Sequence, residues 1–306
     1  MSKKINIMVA ADLGYLYPAQ VLLTSIMHNH QEEHIDIYFL YSGISLIELE
    51  LTKNVVESWK NKKFYPIEIK EDSLQGLRGF GRFSVAAFYR ILGMKLLSES
   101  IDKILYLDVD MIVNKNISKI FEHQMKAPIM ACYDINNYFQ GNIDYHKSYI
   151  GLSKSEEYFN SGMLLIDMNY VKNNETVDKL LDDILENFDR YELVDQDALN
   201  KYYRNKVVYL DWKKYNCPCI VYVSKKKCEF IKKEDFYTYT QIKNNVSQKM
   251  YDVTEKILNN AGIIHFCTEN KPWNREKLYD IDNMKQVYRI YKRYEKILEI
   301  KIKRIG

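Results

Sequence analysis

No apolar run in this 306-residue chain approaches the roughly 20 residues that a membrane-spanning helix needs. The first apolar stretch, Ile5 to Ala11, ends at Asp12 with no longer signal core behind it. It reads as a short buried strand rather than a secretory leader. A dominant charge is missing too: 44 Lys and Arg against 41 Asp and Glu leave a net +3, which argues against a dedicated nucleic-acid binder. The five cysteines are an odd number. Cys217-Pro218-Cys219 is too tightly spaced for a zinc knuckle, and no second pair completes one. Free thiols in a reducing cytoplasm are therefore expected. Internal repeats and low-complexity linkers are absent. The glycines of Gly76-Leu77-Arg78-Gly79-Phe80-Gly81 lack dinucleotide spacing and a strong preceding strand, and predict a mobile loop or lid.

What is present is a soluble globular composition, 47% hydrophobic and 28% charged, with strands and helices in alternation. Strand patterns at Ile5–Ala11, Ile35–Tyr41 and Tyr65–Ile69 are separated by helix patterns at Tyr17–His28 and Ser45–Lys60. A helix capped by Ser84 is expected to run to Leu97. Later strands are predicted at Met130–Tyr133, Met163–Asp167 and Val207–Leu210, with a helix over Asn173–Phe188. This alternation predicts an α/β domain with a mostly parallel sheet, whose ligands gather at the carboxyl ends of the strands. At the C-terminus, Met284 to Ile305 interleaves basic and aromatic residues with Val287, Ile290, Ile297, Leu298 and Ile300. It predicts an amphipathic helix that either rests on an anionic bilayer or packs on the core with its basic face in water.

The segment Ile104 to Val113, Ile-Leu-Tyr-Leu-Asp-Val-Asp-Met-Ile-Val, stands apart. A buried charge needs a partner, and alternation along one strand would put Asp108 and Asp110 on the same face, near enough to share a cation. The plainer alternative is a strand that has ended, with two solvated aspartates in the following turn. Two other Asp-x-Asp triplets, at Asp195 and Asp280, lack the flanking apolar runs, so context rather than the triplet carries the signal.

Six motifs in order then resemble one family: Ala10-Ala11-Asp12, Tyr89-Arg90, Leu105-Tyr106-Leu107-Asp108-Val109-Asp110, Phe159-Asn160-Ser161-Gly162, Asp195-Gln196-Asp197-Ala198-Leu199-Asn200, and His265-Phe266 with Lys271-Pro272-Trp273. Together, over Ile5 to Trp273, they are similar to the retaining glycosyltransferases of family 8, which include bacterial lipopolysaccharide galactosyl- and glucosyltransferases and glycogenin. The resemblance implies a GT-A fold: a Rossmann-like, mostly parallel sheet flanked by helices. It also implies a catalytic domain over residues 1–275 with a small helical appendage over 276–306. The implied donor is UDP-galactose or UDP-glucose, the cofactor Mn²⁺ with Mg²⁺ as a substitute, and the acceptor a saccharide, glycolipid or glycoprotein. The free thiols point to a cytoplasmic location, and the bilayer-resting reading of the basic C-terminal helix would place it peripherally on the membrane's inner face.

Carried over residue by residue, Asp108, Asp110 and His265 match metal ligands. Ala10, Ala11 and Asp12 match positions holding the uracil and ribose, and Val109 falls within the donor-binding motif. Arg90 and Lys271 match contacts to the donor sugar or diphosphate. Asp134, Asn160, Asp195 and Gln196 match the sugar pocket, with Gln196, and Asp195 beside it, on the face where a nucleophile would sit. Glutamine is a poor nucleophile, so front-face substitution is expected rather than double displacement. One departure is Thr268, which stands where relatives carry a glycine. Two other classes compete: a metal-dependent nucleotidyltransferase, which leaves His265 to Trp273 unexplained, and a catalytically silent sugar-nucleotide binder.

Overall fold

A computed structural model describes residues 4–70, 85–97, 99–219, 257, 259–267, 271–274 and 281–305. The Gly76–Gly81 segment, the Ser84 cap and Thr268 lie outside the described residues. The first half follows the predicted alternation: β1 (Ile5–Asp12), α1 (Leu16–Asn29), β2 (Ile35–Ser42), α2 (Leu46–Glu57), β3 (Lys62–Glu68), α3 (Tyr89–Leu97) and β4 (Lys103–Leu107). Helix α2 starts where its sequence provides a capping box. Ser45 Oγ accepts from the Glu48 amide, and the Glu48 carboxylate accepts from the Ser45 amide, so two otherwise unpaired donors are satisfied.

After β5 (Met111–Val113) come β6 (Ile129–Tyr133), α4 (Ile135–Gln140), α5 (Ile143–Tyr149), β7 (Phe159–Asp167), α6 (Met168–Asn173), α7 (Thr176–Asn187) and α8 (Asp195–Tyr202). Next are β8 (Val207–Tyr209), α9 (Trp212–Tyr215), β9 (Cys217–Pro218), β10 (Ile263–His265) and the long α10 (Ile281–Ile305). Seven strands form the main sheet in the order β3-β2-β1-β4-β7-β6-β8. It is parallel from β3 to β4, antiparallel on both sides of β7, and parallel again between β6 and β8. The smaller sheet has the order β5-β10-β9.

Side-chain alternation feeds two cores. Ile7, Val9, Leu105 and Leu107 enter one, and Met8, Ala10, Ile104 and Tyr106 enter the other. Both faces of the sheet are covered, which is why these strands are apolar throughout.

Three expectations need correction. Ile104 to Val113 is not one strand: β4 ends at Leu107 in the large sheet, β5 begins at Met111 in the small one, and Asp108-Val109-Asp110 is the turn between them. Two carboxylates inside a closed ladder would be desolvated, whereas a turn releases them to the cleft. Asn160-Ser161-Gly162 belongs to β7 instead of preceding it, opposite a register shift between Ala131 and Cys132. The helix expected over Asn173–Phe188 begins three residues later, as α7 (Thr176–Asn187), because α6 ends at Asn173 and Glu175 takes φ 51 between them.

The C-terminal helix is docked. Val287, Tyr291, Tyr294 and Leu298 recur at steps of four, three and four and are all buried in the same core as α1, the stripe of an amphipathic helix facing a protein interior. Arg289, Arg293, Lys296 and Lys303 lie exposed outside that stripe. Asn29 Nδ2 donates to Tyr294 Oη at 2.8 Å, and Lys301 Nζ donates to Ser58 Oγ at 3.1 Å. The apolar stripe is therefore buried against protein. We expect Leu298→Ala to lower the unfolding free energy by about 2–5 kcal/mol, as for other buried leucines. Urea denaturation measures this, and a loss under about 0.5 kcal/mol, the range of surface substitutions, would show the helix undocked.

Candidate active site

At the carboxyl ends of β1 and β4 the two sheets part, leaving a cleft of about 590 Å³, within the usual ~300–1,000 Å³ of small-molecule sites. The turn that carries the aspartates is pinned from both sides. The Asp108 amide donates to Gly162 O at 2.8 Å, and the Phe266 amide donates to Asp110 O at 2.8 Å. Antiparallel pairing of β10 with β5 sets His265 opposite Met111 and brings its ring to the carboxylates. His265 Nε2 lies 3.1 Å from Asp110 Oδ1 and 3.9 Å from Asp108 Oδ2. Donor atoms of all three residues fall within 4.8 Å of one another, a spacing that suits one metal ion. Their second contacts are fixed as well. Tyr106 Oη donates to Asp108 Oδ1 at 2.7 Å, and His265 Nδ1 faces Asn216 Oδ1 at 3.0 Å. Such outer contacts orient metal ligands.

Lys271 reaches the same carboxylate, with Nζ 2.6 Å from Asp110 Oδ2 and donating to Phe266 O at 2.6 Å. Burial works against ionisation of Asp110, but Lys271 and His265 overcome it and hold the carboxyl well below its usual range. Burial likewise lowers the His265 pKa, and Asp110 more than reverses it. Gly162 makes this packing possible. A Cβ there would lie 2.6 Å from His265 Cε1 and 2.7 Å from Asp108 Oδ2.

On the opposite wall Arg90, only 6% exposed, leaves α3 between two carboxylates. Its Nη2 is 2.9 Å from Asp108 Oδ1, its Nε is 3.0 Å from Asp195 Oδ2, and its guanidinium lies 4.5 Å from the Tyr106 ring centroid. Arg90 Nε directs its hydrogen to Ala87 O. Asp195 Oδ2 therefore has the ionic contact but no hydrogen bond among the described residues. Burial pushes the Asp195 carboxyl up to about 7, with Arg90 opposing and Asp108 assisting. A buried oxygen with spare accepting capacity at a cleft wall is suited to a ligand hydroxyl.

Gln196 is held at both ends of its amide. Oε1 accepts from the Ser161 amide at 2.9 Å and from Asn160 Nδ2 at 3.2 Å, while Nε2 donates to Asp134 Oδ2 at 2.7 Å. The start of α8 is shaped by Val194, whose φ of 46 is unusual for a β-branched residue. Asp197, fully buried, sustains it. One oxygen accepts from the Glu192 and Leu193 amides at 3.0 and 2.9 Å, and the other accepts from Tyr158 Oη. Asp197 is thus a clamp on the preceding turn.

Ala10, Ala11, Asp12, Arg90, Asp108, Val109, Asp110, Asp134, Asn160, Asp195, Gln196, His265 and Lys271 all line this one cleft. The profile of the family described as "Glycosyl transferase family 8" matches residues 6–277. The chain belongs to that family. It is 25% identical over 287 residues to the glycosyltransferase GlyF of Streptococcus pneumoniae, covering 94% of this chain and 61% of that relative, so it spans about three-fifths of the relative's length. It is 23% identical over 282 residues to a lipopolysaccharide 1,2-glucosyltransferase of Escherichia coli K12, covering 91% of this chain and 75% of that one. Among solved structures it resembles the galactosyltransferase LgtC in complex with donor and acceptor sugar analogues. The TM-score is 0.70 at 22% identity, with 94% and 95% of the two chains covered. That likeness gives this family 8 member the expected GT-A fold, and family membership removes the nucleotidyltransferase alternative.

Three structural contributors escaped the sequence reading. Tyr106 sat inside a quoted motif, but its hydroxyl contact depends on the turn that follows. Asn216 lies in an unremarked Tyr-Asn-Cys stretch and has no local signal. Gly162 sat inside a family motif with no stated role, whereas close approach is its actual constraint. We expect Gly162→Ala to weaken divalent-metal binding at the Asp108, Asp110 and His265 cluster, with Mn²⁺ as the probe, at least about tenfold, the scale of disturbed ligand orientation, with the folded far-UV spectrum retained. Electron paramagnetic resonance titration of free Mn²⁺ reads this, and unaltered affinity would refute the close-approach argument.

Proposed function

We propose that this family member transfers galactose or glucose from a UDP-hexose to a saccharide, glycolipid or glycoprotein acceptor with retention, forming an α-glycosidic bond. One observation carries the reading: the Asp108, Asp110 and His265 donors share a single cleft with the buried Asp195 carboxylate and the locked Gln196 amide. Two hard carboxylates and an imidazole fit Mn²⁺, with Mg²⁺ as a substitute. When bound, the ion neutralises charge that develops on the departing diphosphate.

The remaining roles belong to side chains. Ala10, Ala11 and Asp12, at the end of β1, receive the uracil and ribose, with Val109 beside the nucleotide. Lys271 exchanges its contact with Asp110 for a phosphate oxygen, and Arg90 lies between the metal ligand Asp108 and the sugar-side Asp195. Asp134, Asn160, Asp195 and Gln196 orient the hexose hydroxyls. The Gln196 oxygen already accepts from Ser161 and Asn160, so it has little capacity to attack. We therefore place substitution on the front face. The bond from the anomeric carbon to the β-phosphate oxygen breaks with its electron pair remaining on UDP. The acceptor oxygen bonds on the same face, and its proton passes to the departing phosphate oxygen.

We assign catalysis to residues 1–275, and to residues 276–306 a helical segment whose exposed Arg289, Arg293, Lys296 and Lys303 favour an anionic membrane surface through charge alone. On this reading the enzyme works in the cytoplasm, at the inner face.

With Mn²⁺, UDP release is expected from UDP-galactose or UDP-glucose within a panel of UDP-sugars, and Asp110→Asn should reduce it by at least about a hundredfold. No turnover of any UDP-sugar, together with unchanged nucleotide binding in Asp110→Asn, would leave a silent binder instead. A covalent hexosyl adduct on Asp195 or Gln196, detected by mass spectrometry, would replace the front-face route. Flotation with anionic vesicles should occur at low salt and vanish at about 1 M salt, where screening is nearly complete. Absence of flotation at low salt would remove the membrane assignment.

A further inference from the structure

We propose that Asn216 is a positioning residue that sets the tautomer of His265 and joins the metal ligand to the sugar pocket through one directional hydrogen-bonded chain. The inference rests on the donor and metal assignment above and extends it to a residue outside both sets.

The direction of the chain follows from backbone donors, which have no choice of orientation. The Gly162 amide donates to Asn160 Oδ1 at 3.1 Å, and the Ser161 amide donates to Gln196 Oε1 at 2.9 Å. Both side-chain oxygens are thereby located. Asn216, 3% exposed, approaches Asn160 Oδ1 at 2.9 Å and must present its NH₂ group there. Its own Oδ1 then faces His265 Nδ1 at 3.0 Å. An oxygen only accepts, so His265 carries a proton on Nδ1. Nε2, 3.1 Å from Asp110 Oδ1, donates there in the metal-free protein, and a metal held by Asp108 and Asp110 would take the place of that second proton, leaving the Nδ1–H tautomer as the ligand.

In the other direction Asn160 Nδ2 donates to Gln196 Oε1 at 3.2 Å, and Gln196 Nε2 donates to Asp134 Oδ2 at 2.7 Å. Asp134 is fully buried and accepts from the Asn137 amide at 3.0 Å and its side chain at 2.6 Å. The chain therefore runs from imidazole to carboxylate with every amide donating the same way. Reversing any one member would set oxygen against oxygen. Neighbouring hydrogen bonds of this kind polarise each other, so ordering the sugar pocket and ordering the metal ligand favour one another.

The topology explains why Asn216 holds this place. It closes α9 with its amide on Trp212 O at 3.1 Å, and the next residue, Cys217, begins β9 in parallel register with Ile264 of β10. The side chain is delivered between β7 and His265 from a separate stretch of sequence.

Two substitutions divide the roles. Asn216→Asp keeps an acceptor for His265 Nδ1 but loses the NH₂ group that faces Asn160. Asn216→Ala loses both. With full-length protein, free Mn²⁺ is titrated by electron paramagnetic resonance, and UDP, UDP-galactose and UDP-glucose are titrated by calorimetry at saturating Mn²⁺. The Asp variant should hold Mn²⁺ within about threefold of the parent or tighter, while the ratio of UDP-sugar to UDP dissociation constants rises at least about tenfold. The Ala variant should lose about ten- to a hundredfold in Mn²⁺ affinity. An Asp variant that loses Mn²⁺ as heavily as the Ala variant, or keeps the parent's UDP-sugar to UDP ratio, overturns the proposal. Should the parent protein bind no UDP-sugar, the donor assignment fails instead, and the Mn²⁺ titrations still decide the tautomer. Should the Ala variant not fold, the Asp variant alone carries both readouts.

Discussion

The candidate site depends on a seam between two sheets. Asp108-Val109-Asp110 is the short turn by which the chain leaves the large sheet and enters the small one, and each side holds one end of it. The Asp108 amide is bound to Gly162 of β7, and the carbonyl of Asp110 is bound to Phe266, just past β10. Because both sheets are buried, neither end of the turn can move without breaking ladder hydrogen bonds. The carboxylates of that turn are consequently fixed relative to His265 and to the Asn160–Gln196 wall. Rigid elements hold such constellations more closely than loops do.

Around the seam, charges are kept in pairs. Arg90 separates Asp108 from Asp195, and Lys271 and His265 balance Asp110. Each of these groups would be costly to bury alone, and removing one member of such a set strands the others. Arrangements of this kind add little to net stability, and here they serve the site. Asp195 Oδ2 receives ionic contact but no hydrogen bond among the described residues, which leaves accepting capacity for a ligand. Val194 adds local strain, on the order of 1–3 kcal/mol for such a conformation, and the Asp197 carboxylate sustains it through two backbone donors.

Much of the fold was legible. The inner strands of the main sheet are largely apolar on both faces and separated by helices, so Ile5–Asp12, Ile35–Ser42 and Leu46–Glu57 emerge from periodicity and the Ser45 cap alone. The break after Leu107 was not legible, because an apolar run with two aspartates has the same pattern whether it stays in one sheet or changes to another. The two readings offered for the aspartates each held half of the outcome: they sit in a turn, yet their carboxylates are partnered. The stripe of α10 was equally visible, but periodicity says only that a face is apolar, and packing against α1 decided what covers it.

Alternation and capping by themselves determined the α/β class of fold, and the resemblance of six ordered motifs to a known family pointed to that family and to the residues that line the cleft. Tertiary structure decided what no local pattern encodes. It placed Asn216 between His265 and Asn160, made Gly162 obligatory by close approach, and turned Asp197 into a clamp. The reason is physical. Side-chain hydrogen bonds between β7, α9 and β10 join residues more than 40 positions apart, and only the packing of two sheets brings their donors and acceptors within 3 Å.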